Sequence, residues 1–189
     1  MRPATEADLP AIREVGLATW PATYSFAGDD YIAHGLNTWW SIPALRDSLR
    51  NTETSVAVDD DGVVVAVGNI DLRQTPPVIW KLYVRPDAHG QGIGTALLDA
   101  LIRKAGQRPV RLEYLDGNEP AARFYARRGF IEIRREAASE PEWPDTVWVE
   151  LSAPRSSSRH RNGVQLLPAN EGSEAATLAD VNRLRDELN

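Results

Sequence analysis

Apolar residues recur at helical spacing in several segments of the chain. Thr5 suits a helix N-cap, and Leu9, Ile12 and Val15 follow it three or four residues apart. Spacing of this kind places the apolar side chains on one side of a helix, which then packs against another layer. The pattern predicts helices within 5–19, 20–40, 43–50, 92–105 and 119–128.

Short apolar runs bounded by turn residues predict strands. Two of them flank Asp61-Gly62, a strong hairpin signal. The predicted strands are 55–58, 63–67, 78–84, 110–115, 130–135 and 146–151. Helices followed by a hairpin, and then by alternating strands and helices, predict an α/β (α+β) domain with a mixed sheet covered by helices.

Composition changes after the last predicted strand. We assign 1–151 to the main domain and 152–162, rich in serine and arginine, to a linker. The remaining tail, 163–189, has apolar residues at near-helical spacing and predicts at most a short helix. A segment of that size does not fold alone.

Composition excludes several kinds of chemistry. The chain has 189 residues and no cysteine, which rules out thiolate catalysis, and its three histidines lack metal-ligand spacing. The net charge of −6 argues against nucleic-acid partners, which need a cationic surface. No apolar run approaches the roughly 18 residues of a membrane span. The chain also starts without a signal-like segment, so we expect a cytoplasmic protein with no membrane partner and no metal.

A glycine-rich segment carries the strongest chemical signal. Gly90, Gly92 and Gly94 follow the predicted strand 78–84 and open the predicted helix 92–105. Free N–H groups at a helix N-terminus bind phosphate, and glycine lets the backbone approach it closely. The loop alone also fits a tight turn without ligand or a dinucleotide fingerprint, although no acidic residue follows at the distance which that fingerprint needs.

Two segments together resemble the GNAT N-acetyltransferases. Leu82-Tyr83-Val84-Arg85-Pro86 with Gly90-Gln91-Gly92-Ile93-Gly94 is similar to their acyl-CoA signature, and 118–130 is similar to their Asn-x-x-Ala-x-x-Phe-Tyr-x-x-x-Gly-Phe segment. His89 departs from the Gln/Arg that the family carries at its position. The resemblance covers about 1–151 and implies a centrally splayed sheet of six to seven strands.

The resemblance also implies site residues. The backbone of Leu82 and Val84 would pair with the pantetheine arm of acetyl-CoA, the loop would hold the pyrophosphate, and Tyr125 would protonate the leaving thiolate. The cofactor-binding residues implied in this way are Leu82, Tyr83, Val84, His89, Gly90, Gln91, Gly92, Ile93, Gly94, Thr95 and Asn118.

An amine acceptor needs a base, because freeing an alkyl amine at neutral pH costs about 4 kcal/mol. Glu113 is the candidate, since an interior strand seldom holds a charge without a role. Relatives that acetylate protein N-termini are similar to this chain in having a glutamate five residues before the Asn. The alternative is that Glu113 only pairs with Arg111 or another arginine at the sheet surface.

The acceptor itself is open. The segment 20–40 is rich in aromatic residues, most of which we interpret as core. Tyr24, Asp29 and Asp30 are the substrate candidates, since aromatic and acidic side chains suit a cationic amine. We predict direct transfer to a small amine or polyamine in a ternary complex. A protein N-terminus, an acyl-CoA sensor without catalysis and transfer to charged tRNA are the alternatives, and a homodimer is implied by resemblance only.

Overall fold

The computed structural model describes residues 1–153 together with two short strands, His160–Arg161 and Val164–Gln165. These two strands pair antiparallel and belong to a second unit, 155–189. They fall in the stretches predicted as linker and tail. The predicted tail helix lies outside the described residues.

Five helices accompany the sheet of the first unit, and their bounds agree with the predictions in most places. The exception is the segment 20–40, which does not form one helix. Its first residues continue the N-terminal helix through Pro21, and Gly28, with φ 87°, separates that helix from the next. No helix of the described residues is long and apolar enough to cross a membrane. The helices are α1 Leu9–Thr23, α2 Asp29–Thr38, α3 Ile42–Asn51, α4 Ile93–Ala105 and α5 Glu119–Arg127.

Seven strands form one mixed sheet, which confirms the predicted fold class. The order across the sheet is β1-β2-β3-β4-β5-β7-β6, and only β4 and β5 run parallel. The last two strands do not add in chain order, because β7 lies between β5 and β6. The strands are β1 Arg2–Pro3, β2 Glu53–Val58, β3 Val64–Asp71, β4 Val78–Val84, β5 Val110–Leu115, β6 Ile131–Glu136 and β7 Thr146–Leu151.

The two parallel strands separate near the centre of the sheet. Their pairing is limited to Val78 with Arg111 and Ile79 with Leu112. On the other edge of β4, the register with β3 shifts, so that Trp80 opposes no residue. A bulge of this kind bends its strand and increases the local twist. The bend carries the rest of β4 away from β5 and opens a gap between the two strands.

Each face of the sheet has its own apolar core. Leu98 and Leu101 of α4 pack with strand residues on one face. On the other face, Trp20 and Trp40 are buried among α1, α2 and the sheet. Gly35 permits this packing, because a Cβ there would stand 1.8 Å from the Trp20 ring. Most of the aromatic segment is therefore core, as its interpretation from sequence expected.

Candidate active site

The glycine-rich loop ends in a row of main-chain amides that the protein leaves free. Gly90 and Gly92 have φ values of 78° and 77°, a left-handed backbone that favours glycine. The first internal bond of α4 is from Ala96 N to Gly92 O, at 3.0 Å. Within 1–153, the amides of 93–95 have no hydrogen-bond partner. Together with the helix dipole, these amides make a site for an anion.

The main chain of β4 also presents polar groups to the gap. Arg85 N donates to Val65 O on β3 at 2.8 Å. Because successive residues of a strand alternate in direction, the main-chain groups of Leu82 and Val84 face away from β3 and toward the gap. His89 Nε2 lies 2.8 Å from Val84 O. A carbonyl only accepts, so Nε2 carries the proton and donates it there.

A cavity of about 510 Å³ lies in front of these main-chain groups. We call it the loop cavity. Gln91 is exposed and does not lie on its lining, whereas every other cofactor residue implied by the resemblance does. The structure thus brings together Leu82, Tyr83, Val84, His89, Gly90, Gly92, Ile93, Gly94, Thr95 and Asn118.

Helix α5 closes one side of the loop cavity. Asn118 is buried and caps the helix, with its Oδ1 accepting from Ala121 N at 3.2 Å. This leaves the side-chain NH₂ of Asn118 as the group that can donate to a ligand. Ala121 and Phe124 add further lining from the same helix.

Tyr125 does not lie on the lining of the described cavities. Its ring centroid is 6.1 Å from that of Tyr114 and 5.7 Å from that of Phe130. Burial raises the pKa of its phenol, so the group keeps its proton at neutral pH. Within residues 1–153 its hydroxyl has no hydrogen-bond partner.

A second cavity, of about 590 Å³, lies beside the first between the α1–α2 region and the sheet. We call it the aromatic cavity, after its walls of tryptophan and tyrosine. It shares several lining residues with the loop cavity, so the two are ends of one cleft that passes the β4–β5 gap. The shared residues are Tyr24, Trp80, Lys81, Tyr83, Glu113 and Tyr114.

The predicted substrate residues divide into two groups. Tyr24 lines both cavities, and its hydroxyl lies 3.0 Å from that of Tyr83. Asp29 and Asp30 lie in the exposed first turn of α2 and line neither cavity. Acidic residues at that position interact favourably with the helix dipole, which accounts for their place in the sequence.

Glu113 stands at the junction of the two cavities and has no ion pair among the described residues. Arg111, the alternative partner, binds Glu150 instead, at 2.8 Å. The Glu113 side chain is accessible from the cleft, but the surrounding walls restrict its hydration. This desolvation raises the pKa of the carboxyl group, the charge of Glu136 raises it further, and Arg134 opposes the shift.

Lys81 is a site residue that the interpretation of the sequence missed. It is half-buried and lines both cavities, and desolvation lowers the pKa of its ammonium group to about 8. Its Nζ lies 5.3 Å from the centroid of the Trp40 ring. A signal was present, because Lys81 is the one charged residue of the apolar strand 78–84, as Glu113 is unusual in its own strand.

The cleft therefore offers three kinds of chemistry. The loop can hold an anion, the carboxylate of Glu113 can accept a proton, and the phenols hold protons that can be donated. Among the described residues, no group of three or more potential ligand side chains is placed to hold a metal ion.

Comparison with known proteins agrees with this geometry. The family model described as the acetyltransferase (GNAT) family matches residues 9–130. Peptidyl-lysine N-acetyltransferase YiaC of Escherichia coli is 29% identical over 153 residues, which are 79% of this chain and 93% of YiaC.

Two further relatives extend the comparison. The uncharacterized N-acetyltransferase MJ1207 of Methanocaldococcus jannaschii is 41% identical over 69 residues, so this chain spans only 30% of its length and 35% of its own. The PaiA N-acetyltransferase of Thermoplasma acidophilum, solved with coenzyme A, has the same fold, with a TM-score of 0.65 and 19% identity. That likeness covers 77% of this chain and 94% of PaiA.

Proposed function

The chain belongs to the acetyltransferase (GNAT) family, and from that premise we propose that it transfers an acetyl group from acetyl-CoA to a primary amine. The observation that carries the proposal is the gap between β4 and β5. Within residues 1–153, the amides of 93–95 have no partner at one end of the gap, and the Glu113 carboxylate has no ion pair at the other.

The loop cavity fits coenzyme A through main-chain groups. The amides of 93–95 suit the diphosphate, and the main chain of Leu82 and Val84 suits the amides of the pantetheine arm. A neutral His89 donates its single N–H to Val84 O. We therefore propose that the diphosphate is bound by the backbone amides and not by His89. The coenzyme A bound in the PaiA relative supports this choice of cofactor.

Acetyl-CoA supplies a thioester whose carbonyl carbon accepts an amine. Glu113 is proposed to take the proton that the amine must lose, directly or through one water. Its raised pKa makes the carboxylate a stronger base toward the proton of the amine. The absence of an ion pair within 1–153 leaves this carboxylate free for the amine.

A phenol is proposed to protonate the departing thiolate. Tyr125 is the donor that the resemblance implies. Tyr24 is the second candidate, because it lines both cavities and shares a hydrogen bond with Tyr83. Burial raises the pKa of all three hydroxyls, so each holds its proton at neutral pH.

For the acceptor, we propose a small primary amine that enters through the aromatic cavity. The sequence alone also allowed a polyamine. A lysine side chain of a peptide is the second candidate, because the relative YiaC is named as a peptidyl-lysine N-acetyltransferase.

Two measurements test the proposal. Calorimetry with CoA and acetyl-CoA should detect binding, and thiol release should then depend on an added amine from a panel of small amines, polyamines and lysine peptides. Absence of binding at millimolar CoA would contradict the assignment. Binding without amine-dependent thiol release would favour the sensor alternative.

A further inference from the structure

A polar corner lies within the otherwise aromatic cavity. Lys81 of β4 pairs in register with Asn69 of β3, so their side chains stand beside each other on the same face. Ser48 of α3 accepts a hydrogen bond from Asn69 Nδ2 at 2.6 Å. All three line the aromatic cavity, and we call them the Lys81 pocket.

Asn69 has an unused polar atom in this pocket. The residue is 1% exposed, and its Oδ1 has no hydrogen-bond partner among the described residues. A buried amide oxygen without a partner is unfavourable and calls for an explanation. Rotation of the amide by half a turn would let the Ser48 hydroxyl donate to Oδ1 and would satisfy that oxygen. Asn69 therefore adds a polar wall to the pocket beside Lys81.

Lys81 is the one cation of the cavity lining without a carboxylate partner within residues 1–153. Arg73, the other cation of the cavity lining, binds Asp71 through two hydrogen bonds of 2.9 and 2.8 Å. Asp47 also lines the cavity, but it is exposed and has no ion pair within 1–153. Glu136 pairs with Arg134 at 2.9 Å.

Lys81 makes no ion pair or hydrogen bond within the same residues. Its one recorded charge interaction is with the Trp40 ring, which supplies no hydrogen-bond acceptor atom. A half-buried ammonium group with three unused donors is a binding group for an anion.

We propose that the Lys81 pocket binds a carboxylate of the acceptor, so that the acceptor is an amino-carboxylic acid whose amine reaches Glu113. This inference rests on the proposed function and narrows its acceptor class. A zwitterion of this kind meets a cation at Lys81 and a carboxylate at Glu113, both of which line the cavity. A polyamine would bring a second positive charge against Lys81.

The lowered pKa of the Lys81 ammonium group agrees with a role in anion binding. Desolvation is the cause that lowers its pKa to about 8, with no carboxylate to offset it. A bound carboxylate stabilises the charged form of the ammonium group and should raise its pKa. The carboxylate of the acceptor then serves as the charge partner that Lys81 lacks within residues 1–153.

The kinetic test compares acceptors that differ only at the far end. We would measure acetyl-CoA-dependent thiol release with 3-aminopropanoate, 4-aminobutanoate, 5-aminopentanoate and 6-aminohexanoate, each against the alkylamine and the diamine of matching chain length. At least one amino acid should exceed both of its matched amines in kcat/KM. Lys81→Met should reduce that preference by roughly 10- to 100-fold, the value of a hydrogen bond to a charged group.

The chain supplies a matched control, because Lys104 is its only other lysine. Lys104 lies in the last turn of α4, pairs with Glu53 at 3.0 Å and lines neither cavity. Lys104→Met should leave kcat/KM and the preference unchanged. Equal use of amino acids and their matched amines, with no effect of Lys81→Met on the ratio, would overturn the inference.

A second readout does not depend on turnover. Protein labelled with ¹³C-lysine gives two Cε signals, and Lys81→Met identifies them. Saturating amino acid should raise the apparent pKa of the Lys81 signal while the Lys104 signal stays fixed. If no acceptor releases thiol, the proposed function fails, and the NMR titration still tests the inference. An apparent pKa of Lys81 that does not change with any of the amino acids would overturn it.

Discussion

The two cavities of the cleft differ in whether main-chain groups or side chains line them. The loop cavity presents main-chain amides and carbonyls. Two glycines with left-handed backbone shape the loop, and β4 pairs with β5 over only two residues. The aromatic cavity presents side chains from helices, strands and the segment before β7. In the proposed function, main-chain groups recognise the diphosphate and pantetheine that every acyl-CoA shares, whereas side chains select the acceptor. The first surface therefore predicts the cofactor, and the second is where specificity lies.

The largest effect is expected from a substitution of Glu113, which should lower kcat/KM without changing the affinity for CoA. Glu113→Gln removes the proposed base and nearly preserves shape, so kcat/KM should fall by about 100- to 1,000-fold. CoA affinity, measured by calorimetry, should not change, because the proposed contacts of CoA in the loop cavity are with main-chain groups.

Glu14→Gln is the control for this variant, since Glu14 is exposed on α1 and lines neither cavity. It should behave as the wild type. A fall of less than threefold for Glu113→Gln would remove Glu113 from the mechanism and would return it to a surface role.

Substitutions of Gly94 should affect the loop cavity and not the aromatic cavity. A Cβ at Gly94 would meet only Val84 Cγ2, at 3.4 Å, so Gly94→Ala should be tolerated. The branched side chain of Gly94→Val reaches further into the space before the free amides. It should weaken CoA binding by roughly 10- to 100-fold, equivalent to the loss of one hydrogen bond to a charged group. If calorimetry gives Gly94→Val the wild-type affinity, the diphosphate lies elsewhere.

A smaller effect is expected from the phenols, which lie between the two regions. The thiolate of CoA is a fair leaving group, so its proton donor should be worth only about tenfold in kcat. Tyr125→Phe should show that loss at saturating acetyl-CoA if the resemblance is right. If Tyr24→Phe shows it and Tyr125→Phe does not, the donor is the tyrosine on the cavity walls.

The smallest effect concerns pH and stability. The pKa of Glu113 is raised in the folded state, so its contribution to stability is full below the unfolded-state pKa and is lost as pH rises through the folded-state pKa. Glu113→Gln should therefore unfold at a slightly higher temperature than the wild type at pH 8, and the gain should disappear in acid. Thermal unfolding followed at several pH values checks the sign, and a lower melting temperature at pH 8 would contradict it.

The pH dependence of kcat/KM in the wild type should follow the ionisation of Glu113. As pH falls through the raised pKa of Glu113, kcat/KM should fall, because a protonated carboxyl cannot accept the proton of the amine. CoA affinity should stay constant over that range.

Much of the loop cavity could be predicted from sequence, and much less of the aromatic cavity. Gly92, the helix after it and strand 78–84 are local features, and local periodicity and turn chemistry predict them. Asp29 and Asp30 were assigned to the substrate because of their charge and position, yet they lie outside the cleft. Lys81 was passed over, although its strand made it as unusual as Glu113.

By itself, the sequence determined which segments form helices and strands, where the phosphate-type loop lies, and which family motifs are present. These properties depend on neighbours within a few residues. The tertiary structure alone decided that β7 lies between β5 and β6, that β4 bends away from β5, and that Lys81 and Glu113 share one cleft with Tyr24. The reason is that packing and strand pairing join residues distant in the chain, and no local pattern encodes which of them will meet.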